Sequence, residues 1–182
     1  MEIFFAALWM ILFFYAIKTF IYDKKVFSLL PSKKVFVHIF FTFLAATCFR
    51  ISINTSYIQG NFYTWFLAPF WEEIARVALM KYPIVNSIIF SLAHFRDIDF
   101  LILIKLLSMY FFTSLVLNYI LTVEKNIANT IICHVFINFF YFSYGFNNLL
   151  IEFIFFILGI CISLVYIKFF LISKSNQNLP KL

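Results

Sequence analysis

The stretch "LAPFWEEIARVALMKY", Leu67 to Tyr82, sets Glu72, Glu73 and Arg76 inside an otherwise apolar run. On an isolated helix at bilayer depth, each such charge costs from about 2.5 to well over 10 kcal/mol, so it must pair, face a cavity or serve a function. The surrounding chain says which solvent the run meets. Of 182 residues, 64% are hydrophobic, 29 are Phe and only 12% are charged. That charged share is about half of what a soluble domain carries. The composition predicts an integral membrane protein, an all-α polytopic bundle of transmembrane helices.

Outward from the quoted stretch, polar punctuation divides the chain into about seven membrane segments, near 3–21, 35–53, 62–80, 84–95, 100–122, 127–144 and 150–172. They predict a single transmembrane domain over 1–182, with a core at about 68–142, flanking spans in 1–60 and 148–172, and a polar tail at 173–182. The fourth segment is short. A helix of about 12 residues reaches about 18 Å against a hydrocarbon core of about 30 Å. It either continues through "FRDIDF" or ends inside the bundle beside a polar pocket, where irregular backbone is tolerated. Pro31, Pro69 and Pro83 fall near segment boundaries or turns.

Lys24, Lys25, Lys33 and Lys34 crowd the first loop, Lys81 and Lys125 follow segments three and five, and Lys174 and Lys181 mark the tail. The alternate loops "NTSYIQGN" and "YGFNN" carry no charge. The positive-inside rule then puts the N-terminus outside and the C-terminus in the cytoplasm, with Arg96 the one dissenter. The net charge of +6 fits cytoplasmic loops over anionic headgroups and gives no reason to expect nucleic acid. The start has no basic n-region, so the first run reads as a retained span. Cys48, Cys133 and Cys161 lie in apolar segments without CxxC spacing and read as buried small hydrophobes.

On a helix, Arg76 is i+4 from Glu72 and i+3 from Glu73, so either carboxylate can reach it, and adjacent residues point about 100° apart. One Glu is then neutralised while the other faces elsewhere. A desolvated, unpaired carboxylate suits a general base. The bland reading is a Glu–Arg pair joining helices, with the second Glu in a polar crevice. His94 closes segment four in "FSLAHF", and "IICHVFINFF" puts His134 and Asn138 at i,i+4 on one face of segment six. A lone intramembrane His is often only a partner for a neighbouring helix, and His38 is read that way. Four polar side chains within apolar segments are satisfied together if they share one cavity. A Glu and a His can activate water and protonate a leaving nitrogen, while a second His and an Asn donate to an oxyanion. The same set, Glu72, His94, His134 and Asn138, could instead hold a divalent metal such as zinc.

The pieces "EEIAR", "FSLAH" and "HVFIN", in that order over about 68–142, resemble the CPBP (Abi) family of CAAX prenyl endopeptidases, bacteriocin-processing and bacteriocin self-immunity proteins. The resemblance implies that Glu72 activates water with His94, that His134 and Asn138 stabilise the oxyanion, and that Glu73 and Arg76 form a structural ion pair. One spacing departs. The family has three residues between the second Glu and the Arg, whereas here only Ile74 and Ala75 intervene. That spacing and the "APFWEE" lead-in also resemble the PrsW proteases. Moving Arg76 by one residue turns it by about 100° on the helix and leaves its partner open.

The leading expectation is an intramembrane endopeptidase, glutamic-type or metal-assisted, acting on a membrane-proximal or exported peptide. No cofactor is required, a zinc ion is possible, and the bilayer and a peptide are the partners. The alternative is a non-catalytic membrane protein of the same fold serving bacteriocin immunity or peptide maturation, since fold does not fix function. A small ion or proton carrier is weaker, because only three glycines occur and no Gly/Pro-broken helix pair stands out. The resemblance and the short chain favour a bacterial cytoplasmic membrane.

Overall fold

The computed structural model describes residues 2–22, 28, 30–53, 62–95, 98–139 and 148–172. Among these, the chain forms the expected all-helical bundle, with no strand beyond an isolated Ser28–Asn126 bridge. The α-helices are α1 (Glu2–Tyr22), α2 (Val35–Ile53), α3 (Ala68–Arg76), α4 (Pro83–Ala93), α5 (Phe100–Glu124), α6 (Ile127–Phe139) and α7 (Leu149–Tyr166). Segment three is not one helix. A π turn at Tyr63–Leu67 leads into α3, and a 3₁₀ turn at Val77–Leu79 leaves it. A second π stretch, Ile167–Ile172, extends α7.

Local sequence explains several of these ends. Asp99 caps α5 by accepting from the backbone N–H groups of Leu101 (3.0 Å) and Ile102 (3.4 Å), two of the donors that a helix start leaves unpaired. Asn148 does the same for α7 through Leu150 (3.0 Å) and Ile151 (3.3 Å). Pro83 sits in the first turn of α4, where its missing N–H costs nothing. Helix α4 stops at Ala93 rather than running through "FRDIDF", so His94 stands at its C-cap. The sequence carries segment six to 144. Helix α6 is described as far as Phe139, and residues 140–144 lie outside the described residues.

Val35–Ile53, Phe100–Glu124 and Leu149–Phe169 are long and apolar enough to cross a membrane, and α4 and α6 are shorter apolar helices. Large apolar side chains face outward on these spans, among them Phe36, Phe40, Phe100, Leu101, Phe153 and Ile154. Glu73, Arg76, Asn86, Asn118 and Asn129 are instead fully buried. Costly polar groups turned inward and Phe, Ile and Leu turned outward are what a bilayer solvent selects. This is a membrane protein.

Helices α2 and α7 pack closely. Gly159 lies under the Phe49 ring, where a Cβ would sit 3.0 Å from three ring carbons. Phe49 is wedged in turn against Phe112 and Phe156. Cys48 and Cys133 are buried as small hydrophobes, whereas Cys161 is exposed on the outer side of α7, against the expectation of burial. An apolar run reads the same on both faces, so its sequence does not say which face turns inward.

Candidate active site

Helix α3 carries both acids. Its α-helical turn brings Arg76 Nε within 2.8 Å of Glu73 Oε2, and both side chains are fully buried. The i+3 carboxylate therefore takes the guanidinium, and Glu72 projects to another side. Arg76 is held from behind by α5, where Nη1 donates to the Ser114 backbone carbonyl (3.3 Å) and side-chain hydroxyl. Its guanidinium also lies over the Phe90 ring, 4.8 Å from the centroid.

Glu73 does more than hold Arg76. Its other oxygen, Oε1, is 2.8 Å from His134 Nδ1 on α6. The opposite ring nitrogen, His134 Nε2, faces Glu72 Oε2 at 3.5 Å. His94 approaches the same carboxylate from the end of α4, with Nε2 4.0 Å from Glu72 Oε1. Its Nδ1 donates to the Phe90 carbonyl at 2.8 Å, since a carbonyl oxygen can only accept. The His94 ring stacks on Tyr110 of α5 with centroids 4.1 Å apart. The Glu72 side chain keeps 19% of its surface open, against none for Glu73.

Glu72, His94 and His134 are thus brought together, with Glu73 and Arg76 directly behind them. Asn138 lies one turn beyond His134, and its amide donates to the Thr64 carbonyl (3.1 Å) in the π turn before α3. The separations of 3.5 and 4.0 Å around Glu72 exceed a good hydrogen bond, as is common in active sites without substrate. Two imidazoles and a carboxylate are a donor set that zinc accepts. Among the described residues, however, no three His, Cys, Asp or Glu side chains converge as metal ligands. Each imidazole meets a different oxygen of Glu72, and its second nitrogen is held by the Phe90 carbonyl or by Glu73.

The sequence reading missed the polar layer behind Arg76. Asn86 donates to the Arg76 carbonyl (2.8 Å) and to Asn118 Oδ1 (2.9 Å), and Asn118 donates to Ser87 Oγ (2.9 Å). A signal was there. Ser114, Asn118 and Thr122 recur every fourth residue along an apolar helix, forming one polar stripe that meets Arg76, Asn86 and Ser87, and the Met80 carbonyl. His38 lies apart, bonded to Tyr166 of α7 and 3.2 Å from Glu124 of α5.

The family model for type II CAAX prenyl endopeptidases, Rce1-like, matches residues 54–140 and so takes in every residue of the site. The match supports the resemblance of this segment to the CPBP family. No curated protein and no solved structure matches the chain significantly. The Rce1-like match supports a CAAX-type intramembrane endopeptidase fold and points to a protease. Within the Rce1-like segment, α3, the end of α4 and α6 contribute the polar side chains, and α5 supplies the backing layer.

Proposed function

We propose that the protein is an intramembrane endopeptidase that hydrolyses a peptide bond near the membrane surface of its substrate, in a bacterial cytoplasmic membrane that it crosses several times. The observation that carries this reading is the meeting of Glu72 with His94 and His134, whose ring nitrogens face its two carboxylate oxygens at 4.0 and 3.5 Å. Glu72 takes a proton from water. His94 presents Nε2 as an acceptor, because its Nδ1 proton is committed to the Phe90 carbonyl, and so helps to orient that water. Asn138, one helical turn beyond His134 on α6, is the donor to the oxyanion that forms when hydroxide adds to the carbonyl carbon.

The substrate is a membrane-proximal or exported peptide, with a prenylated CAAX peptide the first to try, given the description of the matching family. The test is hydrolysis of a fluorogenic farnesylated CAAX peptide by the purified protein in lipid nanodiscs. Loss of the general base predicts a fall of about 10²–10⁴-fold in kcat for Glu72→Gln, with unchanged elution from a sizing column. Undiminished hydrolysis by Glu72→Gln would overturn the mechanism. A wild-type protein that cleaves nothing yet protects cells from a bacteriocin would establish the non-catalytic role instead.

A further inference from the structure

The hydrogen-bond partners of the two histidines differ in kind, and the difference divides their labour. His94 Nδ1 donates to a neutral backbone carbonyl, that of Phe90, at 2.8 Å. His134 Nδ1 meets a carboxylate, Glu73 Oε1, at 2.8 Å, in a contact where Glu73 is wholly buried. A carboxylate behind one ring nitrogen fixes the tautomer, aims the other nitrogen and stabilises the positively charged ring. His134 Nε2, aimed in this way, faces Glu72 Oε2 at 3.5 Å.

From this geometry we infer that Glu73 and His134 form a dyad in which His134 Nε2–H is the acid that protonates the leaving nitrogen, and Glu73 is the positioning residue that arms it. The inference rests on the endopeptidase reading above and assigns Glu73 a part beyond its ion pair with Arg76. In the first step, water gives a proton to Glu72 while its oxygen bonds to the substrate carbonyl carbon, whose π electrons move to oxygen. As the tetrahedral intermediate collapses, the C–N bond breaks and its electron pair goes to nitrogen. That nitrogen takes the Nε2 proton of His134. His134 is left neutral, its Nδ1–H still on Glu73. The proton held by Glu72 then crosses to His134 Nε2, which restores both groups. A carboxylic acid and an amine leave, and atoms and charge balance.

Leaving-group dependence tests the dyad, because p-nitrophenolate departs without a proton and an amine does not. The wild-type protein, Glu73→Gln and His134→Gln are each assayed in nanodiscs on the farnesylated CAAX peptide and on the p-nitrophenyl ester of N-acetyl-farnesylcysteine. We expect Glu73→Gln to lower kcat on the peptide by about 100-fold or more, the usual share of a general acid, with KM little changed. On the ester we expect the same variant to lose less than about tenfold. His134→Gln, which still offers an amide donor to Glu73, should show the same split if Glu73→Gln does not fold. Equal losses on peptide and ester, or peptide cleavage retained within tenfold, would overturn the dyad and leave the protease reading standing. Wild-type protein inert toward both probes would overturn the reading of the site as a prenyl-peptide protease, and the dyad proposed for it.

Discussion

Arg76→Met isolates the energetics on which the site is built. The substitution keeps the aliphatic bulk and removes a guanidinium that is fully buried, donates to Glu73 Oε2 at 2.8 Å and reaches the Ser114 carbonyl at 3.3 Å. Glu73 then remains an interior anion answered, among the described residues, by His134. Removing one partner of a buried ion pair costs about 3–5 kcal/mol, because the other charge is left uncompensated. A direct sum agrees in scale, since each hydrogen bond to a charged group contributes about 1.5–3 kcal/mol. The ratio of folded to unfolded protein should therefore fall by a factor of at least about 100. Equilibrium unfolding in mixed dodecyl maltoside and sodium dodecyl sulfate micelles measures it.

The double variant Glu73→Gln with Arg76→Met sharpens the test. It removes both charges and leaves an amide oxygen that His134 Nδ1 can still meet, so at least half of the lost stability should return. If Arg76→Met costs no more than about 1 kcal/mol, the pair behaves like an exposed one, and the interior is neither dry nor charge-balanced in the way the site requires. A double variant no more stable than the single would refute the reasoning equally.

Three further outcomes follow from other parts of the fold. Gly159→Ala should destabilise by about 1–3 kcal/mol in the same assay, the usual range for overpacking. The new Cβ meets Phe49 at 3.0 Å, and that ring is itself pinned by Phe112 and Phe156; a neutral result would mean the ring can yield. Glu124→Gln should cost about 1.5–3 kcal/mol, the worth of charge-assisted bonds, without altering kcat. Glu124 accepts from Ser32 Oγ (3.1 Å) and Asn129 Nδ2 (3.0 Å) and lies 3.3 Å from Lys34 Nζ, away from the site. Hydrolysis should persist in 1,10-phenanthroline if Glu72 activates water directly, whereas loss restored by added zinc would assign that step to a metal.

The helical bundle was legible because 29 Phe and long Ile- and Leu-rich runs leave no alternative to burial in lipid. The cluster was legible because Glu72, His94 and His134 interrupt those runs where each would be costly alone. Two things were not. The partner of Arg76 depends on a difference of one residue in helical phase, and both carboxylates lie within reach on paper. The bond from Glu73 to His134 joins residues 61 apart on separate helices, so only packing creates it. The breaks in segment three also escaped. A π turn and a 3₁₀ turn flank α3 without a glycine to mark either.

The short helix α4 helps to explain why polar side chains gather in one place. It has 11 residues, whereas a crossing needs about 20. Its C-terminal turn therefore presents carbonyls that lack helical partners, and such groups must be answered from within the protein. His94 answers the Phe90 carbonyl at 2.8 Å, and Arg50 donates to the Ile137 carbonyl at 2.6 Å. Asn138 serves the Thr64 carbonyl at 3.1 Å, and Glu73 holds Arg76 and His134 at 2.8 Å each. A purely structural account covers all of these. It does not cover Glu72, whose described contacts are the two imidazole nitrogens at 3.5 and 4.0 Å. A carboxylate brought into an apolar helix without a short bond of its own must return its cost in some other way. Its two facing histidines, each already oriented by a bond on the far side of the ring, are what a water-activating base requires.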